Sequence, residues 1–421
     1  MRALILSTTT GYQLRSFGDA AARAGIELMF ATDRCHRLDD PWRDAAVAVR
    51  FHEEESSLRA IVDAARTRPI DGVIAVGDRP VVLAALAAQA LGIRGNPPQA
   101  AAASVNKNLA RAAFGRAGLP VPWHFEVNER QPLAGDPRVV FPCVVKPLGL
   151  SGSRGVIRAN TPAELERAVA RVRALLARKD VRAIRSGLED TILLEGFIAG
   201  REYAIEGVLT NGAFRPFAIF DKPDPLDGPF FEETIYVTPS HLGAGEQQVV
   251  LDHVARAAAS IGLLDGPVHA ECRVNDRGVF MLEVAARPIG GLCSRVLRFS
   301  DPATAADVSL EDVLLRHAVG DDVSRCTRET RAAGVMMIPI PAGGTLKRVD
   351  GVDKAASVAG VEDVRITAKT GQLLEPLPEA ASYLGFIFAR GSTPSVVVSA
   401  LRDSHARLDF EIAAPIPVIA R

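Results

Sequence analysis

The chain has 421 residues, 48% hydrophobic and 24% charged, enough for two to four domains and too apolar for a disordered or fibrous chain. Lysine plus arginine number 49 against 50 acidic residues, a net charge of −1, so no bulk field draws the chain to nucleic acid or anionic lipid. No apolar run approaches the roughly 18 residues of a membrane span, and MRALILSTTTG reads as a first strand rather than a signal segment. Cysteines 35, 143, 272, 293 and 326 form no CxxC pair, which argues against a disulfide framework and for a reducing cytoplasm.

From residue 1 to about 105 strand and helix patterns alternate. Ala3–Ser7 reads as a strand, Tyr12–Ala24 as a helix closed by Gly25, Glu27–Ala31 and Asp71–Val76 as further strands, and Pro80–Leu91 as an Ala-rich helix. Such alternation predicts a parallel sheet wrapped by helices. Gly95-Asn96-Pro97-Pro98 reads as a linker, and Ser104 as the cap of a helix through Asn106–Ala117 that Gly118 and two prolines stop. Then follow a strand at Val139–Val145, a Gly/Ser turn at Gly149–Gly155 and a helix at Pro162–Ala177. Thr191–Glu195 and Glu202–Leu209 read as strands, and Asn211-Gly212 as a hairpin turn into Phe214–Phe220. Asp221–Pro229, with three prolines, is a loop; Glu246–Ile261 has helical spacing, and strands follow at Val268–Val274 and Val279–Ala285. Past Gly320 short β-rich runs between turns predict a separate α+β unit.

Three segments carry chemistry. No GxxxxGK[ST] occurs, and Gly149-Leu-Ser-Gly-Ser-Arg-Gly155 lacks dinucleotide spacing, so Walker-type and Rossmann readings fall. A strand ending in Lys146 before a loop of Ser151, Gly152, Ser153 and Gly155 presents a point charge and close backbone N–H groups to phosphate; a surface lysine beside a flexible hairpin is the plain alternative. In Val268-His269-Ala-Glu271 through Glu283-Val-Ala-Ala-Arg287, a three-residue turn at Asp276, Arg277 and Gly278 pairs Asn275 with Val279, and so Glu271 with Glu283. His269, Glu271, Glu283, Ala285 and Arg287 then share one face. Opposed carboxylates repel unless a cation lies between them, and all-oxygen ligands suit Mg²⁺, with Mn²⁺ as substitute; the plain alternative is an exposed hairpin whose acids pair with arginines. Third, Glu195, Phe197, Ile198 and Glu202 form a strand and connector able to offer backbone groups and a packing face to a purine, and an acceptor to ribose. Taken singly this last segment reads more readily as a plain strand with a solvated acid.

The order of these pieces, Lys107, Lys146 with its glycine loop, Glu195 through Glu202, then Glu271, Glu283 and Arg287, resembles the ATP-grasp superfamily over roughly residues 1–320. Glu283-Val-Ala-Ala-Arg287-Pro-Ile-Gly290-Gly291 resembles its carboxylate–amine ligases of the L-amino-acid ligase (dipeptide synthase) branch, and Gly334-Val-Met-Met-Ile-Pro and Tyr383–Arg390 resemble that branch's C-terminal domain. Ala285 stands where many of these enzymes carry a further magnesium ligand, Asn.

The resemblance implies an α/β N-terminal domain with a parallel sheet over residues 1–103. An ATP-grasp α+β domain over 104–319 follows, with nucleotide between subdomains of about 104–190 and 191–319, then an α+β C-terminal domain over 320–421. It implies an ADP-forming ligase using ATP and Mg²⁺ to join a small-molecule carboxylate to an amine through an acyl phosphate, in a homodimer. Lys107 and Lys146 would hold phosphates, Ser151–Gly155 would cover them, and Glu195, Phe197, Ile198 and Glu202 would face the nucleoside. Glu271 and Glu283 would take metal, and Arg287 the acyl phosphate and then the oxyanion. Gly290 and Gly291 would leave room for the substrate carboxyl. His269 is a candidate to assist an amine proton, or else a structural imidazole, and Lys222 a candidate for the γ-phosphate when its loop closes. The alternatives are another ATP-grasp amidoligase of nucleotide or cofactor metabolism, and a nucleotide-binding module without catalysis.

Overall fold

The computed structural model describes residues 1–8, 13–33, 46–127, 133, 135–302, 304–380 and 382–414; the expected helix start at Tyr12, and Cys35, lie outside them. Two compact units emerge, one from Met1–Val121, Tyr203–Ile219 and Leu242–Glu329, the other from Pro122–Glu202, Phe220–His241 and Thr330–Arg421.

In the first unit, parallel strands run in the order Ala46–Ala48, Glu27–Thr32, Arg2–Ser7, Gly72–Val76. All five residues after Arg2 in the central strand are buried, as a parallel strand covered on both faces requires. The helices Gln13–Ala24 and Val81–Leu91 stand where the alternation placed them. A further helix, Glu54–Thr67, escapes the pattern because only Ser57 and Ile61 of its residues are buried. The expected linker is also shorter than its composition implies: Pro98 opens a helix to Val105, in the first turn where the missing N–H is not needed. Ser104 belongs to that helix and donates to the Ala101 carbonyl at 2.8 Å, so it caps nothing downstream. Asn106 is the cap of Lys107–Arg116, its side-chain oxygen accepting from the N–H groups of Asn108 and Leu109 at 3.0 and 3.1 Å.

The same unit holds the antiparallel hairpin Gly278–Ala285 and Gly266–Asn275 and, as the next neighbours in the sheet, most of Arg201–Thr210 and Ala213–Asp221. Asn211 and Gly212 make the expected tight turn, with φ of 50° and 81°. The helix Ala244–Ile261 packs on the hairpin through Val250, Val254, Ala257, Ala258 and Ile261, part of one core with Ala270, Cys272, Met281 and Val284.

His317, at the end of the helix Leu310–Ala318, is buried, with Arg94 Nη2 and Thr210 Oγ1 at 3.0 and 2.9 Å from Nε2. Burial, then the Arg94 charge, depress its pKa from 6.5 to about 4. An unfolded chain therefore binds a proton that the fold refuses, and the neutral ring's stabilisation, present above pH 6.5, is lost as pH falls toward 4. In urea titrations wild type should lose up to about 1.4 kcal/mol per pH unit more than His317→Gln across that window. Parallel pH profiles for the two would remove this role.

In the second unit the antiparallel strands His124–Val127, Ile192–Gly196, Cys143–Pro147 and Ile157–Ala159 neighbour one another in that order. The helix Pro162–Leu176, capped by Thr161, covers them with Leu165, Val169, Val172 and Leu176. The residues beyond 330 form the expected α+β arrangement. Ile235–Thr238, Ala332–Ile338, Gly385–Gly391 and Val361–Ile366 pair antiparallel, and the helix Pro394–His405 packs across them. Among the described residues no helix is long and apolar enough to cross a membrane.

Candidate active site

Lys146 lies in the strand Cys143–Pro147, two residues from Val144, which pairs with Glu195 across the ladder. That register puts Lys146 and Glu195 on one face, and they form an ion pair with Glu195 almost fully buried. Glu195, read as part of a purine-facing connector, thus acts as the counter-charge that holds the lysine.

Just beyond, the loop turns through positive φ at Gly152, Ser153 and Gly155, of 63°, 57° and 77°. Gly155 has no substitute, since a Cβ there would sit 2.7 Å from Pro147 Cγ and 3.0 Å from Leu175 Cδ2. Ser151 and Gly152 are exposed at the tip, while the base is tied down: Gly155 N–H donates to the Pro378 carbonyl at 2.8 Å and Arg154 Nε to that of Glu379 at 2.7 Å. Two bidentate pairs, Arg171 with Glu379 and Arg178 with Glu375, hold this C-terminal segment against the helical side. The tip is free to present N–H groups; the base is not free to wander.

Ile198 is buried, and Phe197 carries the Arg158 guanidinium 4.1 Å from its ring centroid. Glu202 does not stand open as a ribose acceptor. Its Oε1 accepts from Lys222 Nζ at 2.7 Å, Glu233 Oε1 accepts from the same nitrogen at 2.5 Å, and the Tyr236 ring centroid lies 4.8 Å away. Lys222, the candidate for the γ-phosphate, is only 8% exposed and lies as a buried cation between the two acids. Its loop is anchored too: Arg158 N–H donates to the Pro229 carbonyl at 2.9 Å, and Phe230 bridges to Ile157.

In the first unit Lys107 opens the helix capped by Asn106. The hairpin brings Glu271 opposite Glu283 and His269 opposite Ala285, as expected, but by another route. Its turn is Asp276-Arg277, so Asn275 pairs with Gly278 and Val274 with Val279; a bulge after Met281 then shifts the register by one. The two carboxylates share one face and keep 18% and 22% side-chain exposure.

His269 is sandwiched. Nδ1 lies 3.2 Å from Glu206 Oε2 and Nε2 3.6 Å from Glu271 Oε1. Burial favours the neutral ring, but the bonds to Glu206 and Glu271 outweigh it and push the pKa up to about 9. Glu206, 1% exposed, also accepts from the Ile289 N–H at 2.7 Å, and so ties the imidazole to the segment before Gly290 and Gly291. Around Gly290 a Cβ would meet nothing within 4 Å, and Gly291 has φ of 62°. Each nitrogen of Arg287 has one partner: Nε donates to Asp78 Oδ1 at 2.6 Å and Nη1 to the Pro288 carbonyl at 3.1 Å, and Nη2 lies 3.5 Å from Glu283 Oε1.

Glu206, Asp78 and Glu233 are absent from the sequence reading. Glu206 had a signal, a lone acid inside the apolar run Tyr203–Leu209. Asp78 had one as well, since it follows a strand of the parallel sheet at its carboxyl end, where α/β sheets gather ligands. In both units the chemistry is charge held in place: a lysine and a tethered loop in one, an acid pair with an oriented guanidinium in the other.

Residues 139–296 match the ATP-grasp domain model, a stretch that holds Lys146, Glu195, Glu271, Glu283 and Arg287. This stretch is an ATP-grasp domain. Around this ATP-grasp domain, residues 18–95 match the ATP-grasp N-terminal domain, and 336–413 the L-amino acid ligase C-terminal domain 2. Its fold superposes on the L-amino acid ligase from Bacillus licheniformis with a TM-score of 0.83, at 26% identity over 98% of this chain and 99% of that one. Alanine–anticapsin ligase of Bacillus subtilis is 28% identical over 253 residues, 56% of this chain and 52% of that protein. An uncharacterized protein of Sinorhizobium fredii, y4rH, is 26% identical over 322 residues, 76% of this chain and 63% of its own. The match thus spans between about half and two thirds of these relatives' length.

Proposed function

We propose that this chain is an ATP-dependent, ADP-forming carboxylate–amine ligase that joins an amino acid to an amine or a second amino acid through an acyl phosphate. The single observation that carries the reading is Glu271 facing Glu283 across a bulge, with Arg287 fixed four residues on. Two partly exposed carboxylates on one face are a donor set for a hard divalent cation, here Mg²⁺ with Mn²⁺ as substitute. Held there, the ion would neutralise charge on the transferring phosphoryl oxygens. The similarity to the two Bacillus ligases supports amino acids as the substrate class.

In the first step a substrate carboxylate oxygen attacks the γ-phosphorus and ADP leaves. In the second the amine nitrogen attacks the acyl carbon, phosphate leaves and the nitrogen loses a proton. Lys107 and Lys146 hold phosphate oxygens, with Glu195 paired to Lys146 and directing it, and the Ser151–Ser153 tip covers them. Phe197 and Ile198 supply a packing surface for the base. Arg287 binds the acyl phosphate and then the oxyanion, and Gly290 and Gly291 give the carboxyl room. His269, held between Glu206 and Glu271, orients Glu271. The division at 103 and 319, a homodimer and a cytoplasmic location belong to the same proposal.

The test is a pairwise amino-acid screen with ATP and Mg²⁺, read by ADP release and by product mass. Expected is ADP release only with particular pairs, with a product one water lighter than their sum. Release tied to a nucleotide-pathway acid instead would indicate an amidoligase of that metabolism. Silence across a broad acid and amine panel would leave a nucleotide-binding module.

A further inference from the structure

The helix that begins with Lys107 carries Arg111 one turn later, and Arg111 is fully buried in the first unit. Its Nη1 donates at 2.9 Å to the carbonyl of Leu282, the residue that the bulge adds between Met281 and Glu283. That residue decides where Glu283 points. From Asn275–Gly278 to Cys272–Met281 the paired numbers sum to 553, and beyond the bulge, at Glu271–Glu283, to 554. Were the first register to continue, Glu271 would face Leu282, and Glu283 would pair with Ala270 on the opposite face.

The bulged and regular ladders therefore compete, and electrostatics favours the wrong one, because the bulge sets two carboxylates face to face. A bulge also leaves its extra residue out of the ladder, with a carbonyl to satisfy. A guanidinium meets that need with a charge-assisted bond and brings positive charge to the strand that carries Glu283.

We propose that Arg111 is a positioning residue that holds the bulged register, so that Glu283 meets Glu271 and the pair can take a divalent ion. This rests on the metal role given to the two glutamates above. Because Lys107 and Arg111 sit on one helix, the phosphate-binding lysine and the register of the acid pair are set by the same rigid element.

The test combines Arg111→Met, Arg111→Lys and deletion of Leu282. Arg111→Met should raise the Mg²⁺ concentration for half-maximal ADP release about 10- to 100-fold, the usual effect of losing support behind a metal ligand, and leave amino-acid KM values within about twofold. Arg111→Lys, which keeps a donor, should recover part of the loss. Deletion of Leu282 gives a ladder without a bulge in which Glu283 still follows Met281 and still meets Glu271. In that background Arg111→Met should shift Mg²⁺ dependence less than about threefold, whereas a purely structural arginine would remain as damaging as before.

A folded Arg111→Met with wild-type Mg²⁺ dependence overturns the proposal, and so does equal damage with and without Leu282. If wild type itself releases no ADP, the ligase reading has failed but the inference still stands or falls: free Mn²⁺, measured by electron paramagnetic resonance in the presence of ADP, should show binding weakened by Arg111→Met and restored by the deletion. Wild type that binds no Mn²⁺, or binding that Arg111→Met leaves unchanged, overturns it.

Discussion

Glu283→Gln should lower Mg²⁺-dependent ADP release by at least about 10²-fold while the protein keeps its fold. An ion that neutralises the transferring phosphoryl group is worth several kcal/mol in the transition state, and each 1.36 kcal/mol is a factor of ten. The amide keeps the shape of the carboxylate and one oxygen but not its charge. Stability should move little, because two opposing effects nearly cancel. The substitution removes the repulsion with Glu271, worth about 0.2–1 kcal/mol, and also a long contact with Arg287 Nη2 at 3.5 Å. A melting curve within a few degrees of wild type, beside a rate at the detection limit, is the expected pair of readings. If the variant keeps most of its turnover, Glu283 is not a metal ligand. Loss of activity together with loss of the fold would place the side chain in the architecture instead.

This acid pair shows how far the sequence reaches. Its reading rested on parity: an odd number of residues in excess between the strands puts Glu271 and Glu283 on one face. The structure keeps that parity with a two-residue turn and one bulged residue instead of a three-residue turn. Alternation of apolar residues reports parity because burial selects it, whereas the place where the extra residue sits depends on what satisfies its carbonyl, here an arginine 171 positions away. The same limit explains Lys222. A lysine among prolines reads as solvated, and only the meeting of Glu202, 20 residues earlier, and Glu233, 11 later, makes it a buried cation. That Glu195 faces Lys146 follows from a cross-strand register with Val144, which no local pattern reports. The parallel sheet and the glycine loop were legible because both are local: a run of buried aliphatics and a cluster of small residues. The helix cap at Asn106 and the polar helix Glu54–Thr67 were missed where two cap residues competed or where the buried face was narrow.

Arg287→Ala is expected to reduce kcat by about 10²–10³, the effect of removing a donor aimed at charge that develops in the transition state. The guanidinium is well placed for that task because its directions are already fixed by Asp78 at 2.6 Å, the Pro288 carbonyl at 3.1 Å and Glu283 at 3.5 Å. Its pKa is driven further upward by Asp78 and Glu283 in spite of burial, so its charge persists at any working pH. Arg287→Lys should recover little, since an ammonium cannot meet three acceptors set in a planar fork. Asp78→Asn separates orientation from charge. It leaves the guanidinium in place with a weaker hold on Nε, and should lower kcat by roughly tenfold with KM for ATP unchanged, as expected when an interaction made only in the transition state is impaired. Initial rates at saturating amino acids, with hydroxylamine as a substitute amine to trap acyl phosphate, give both numbers. Should Arg287→Ala raise KM for ATP and leave kcat intact, the arginine would be a ground-state ligand of the nucleotide, and stabilisation of the acyl phosphate would have to come from another cation.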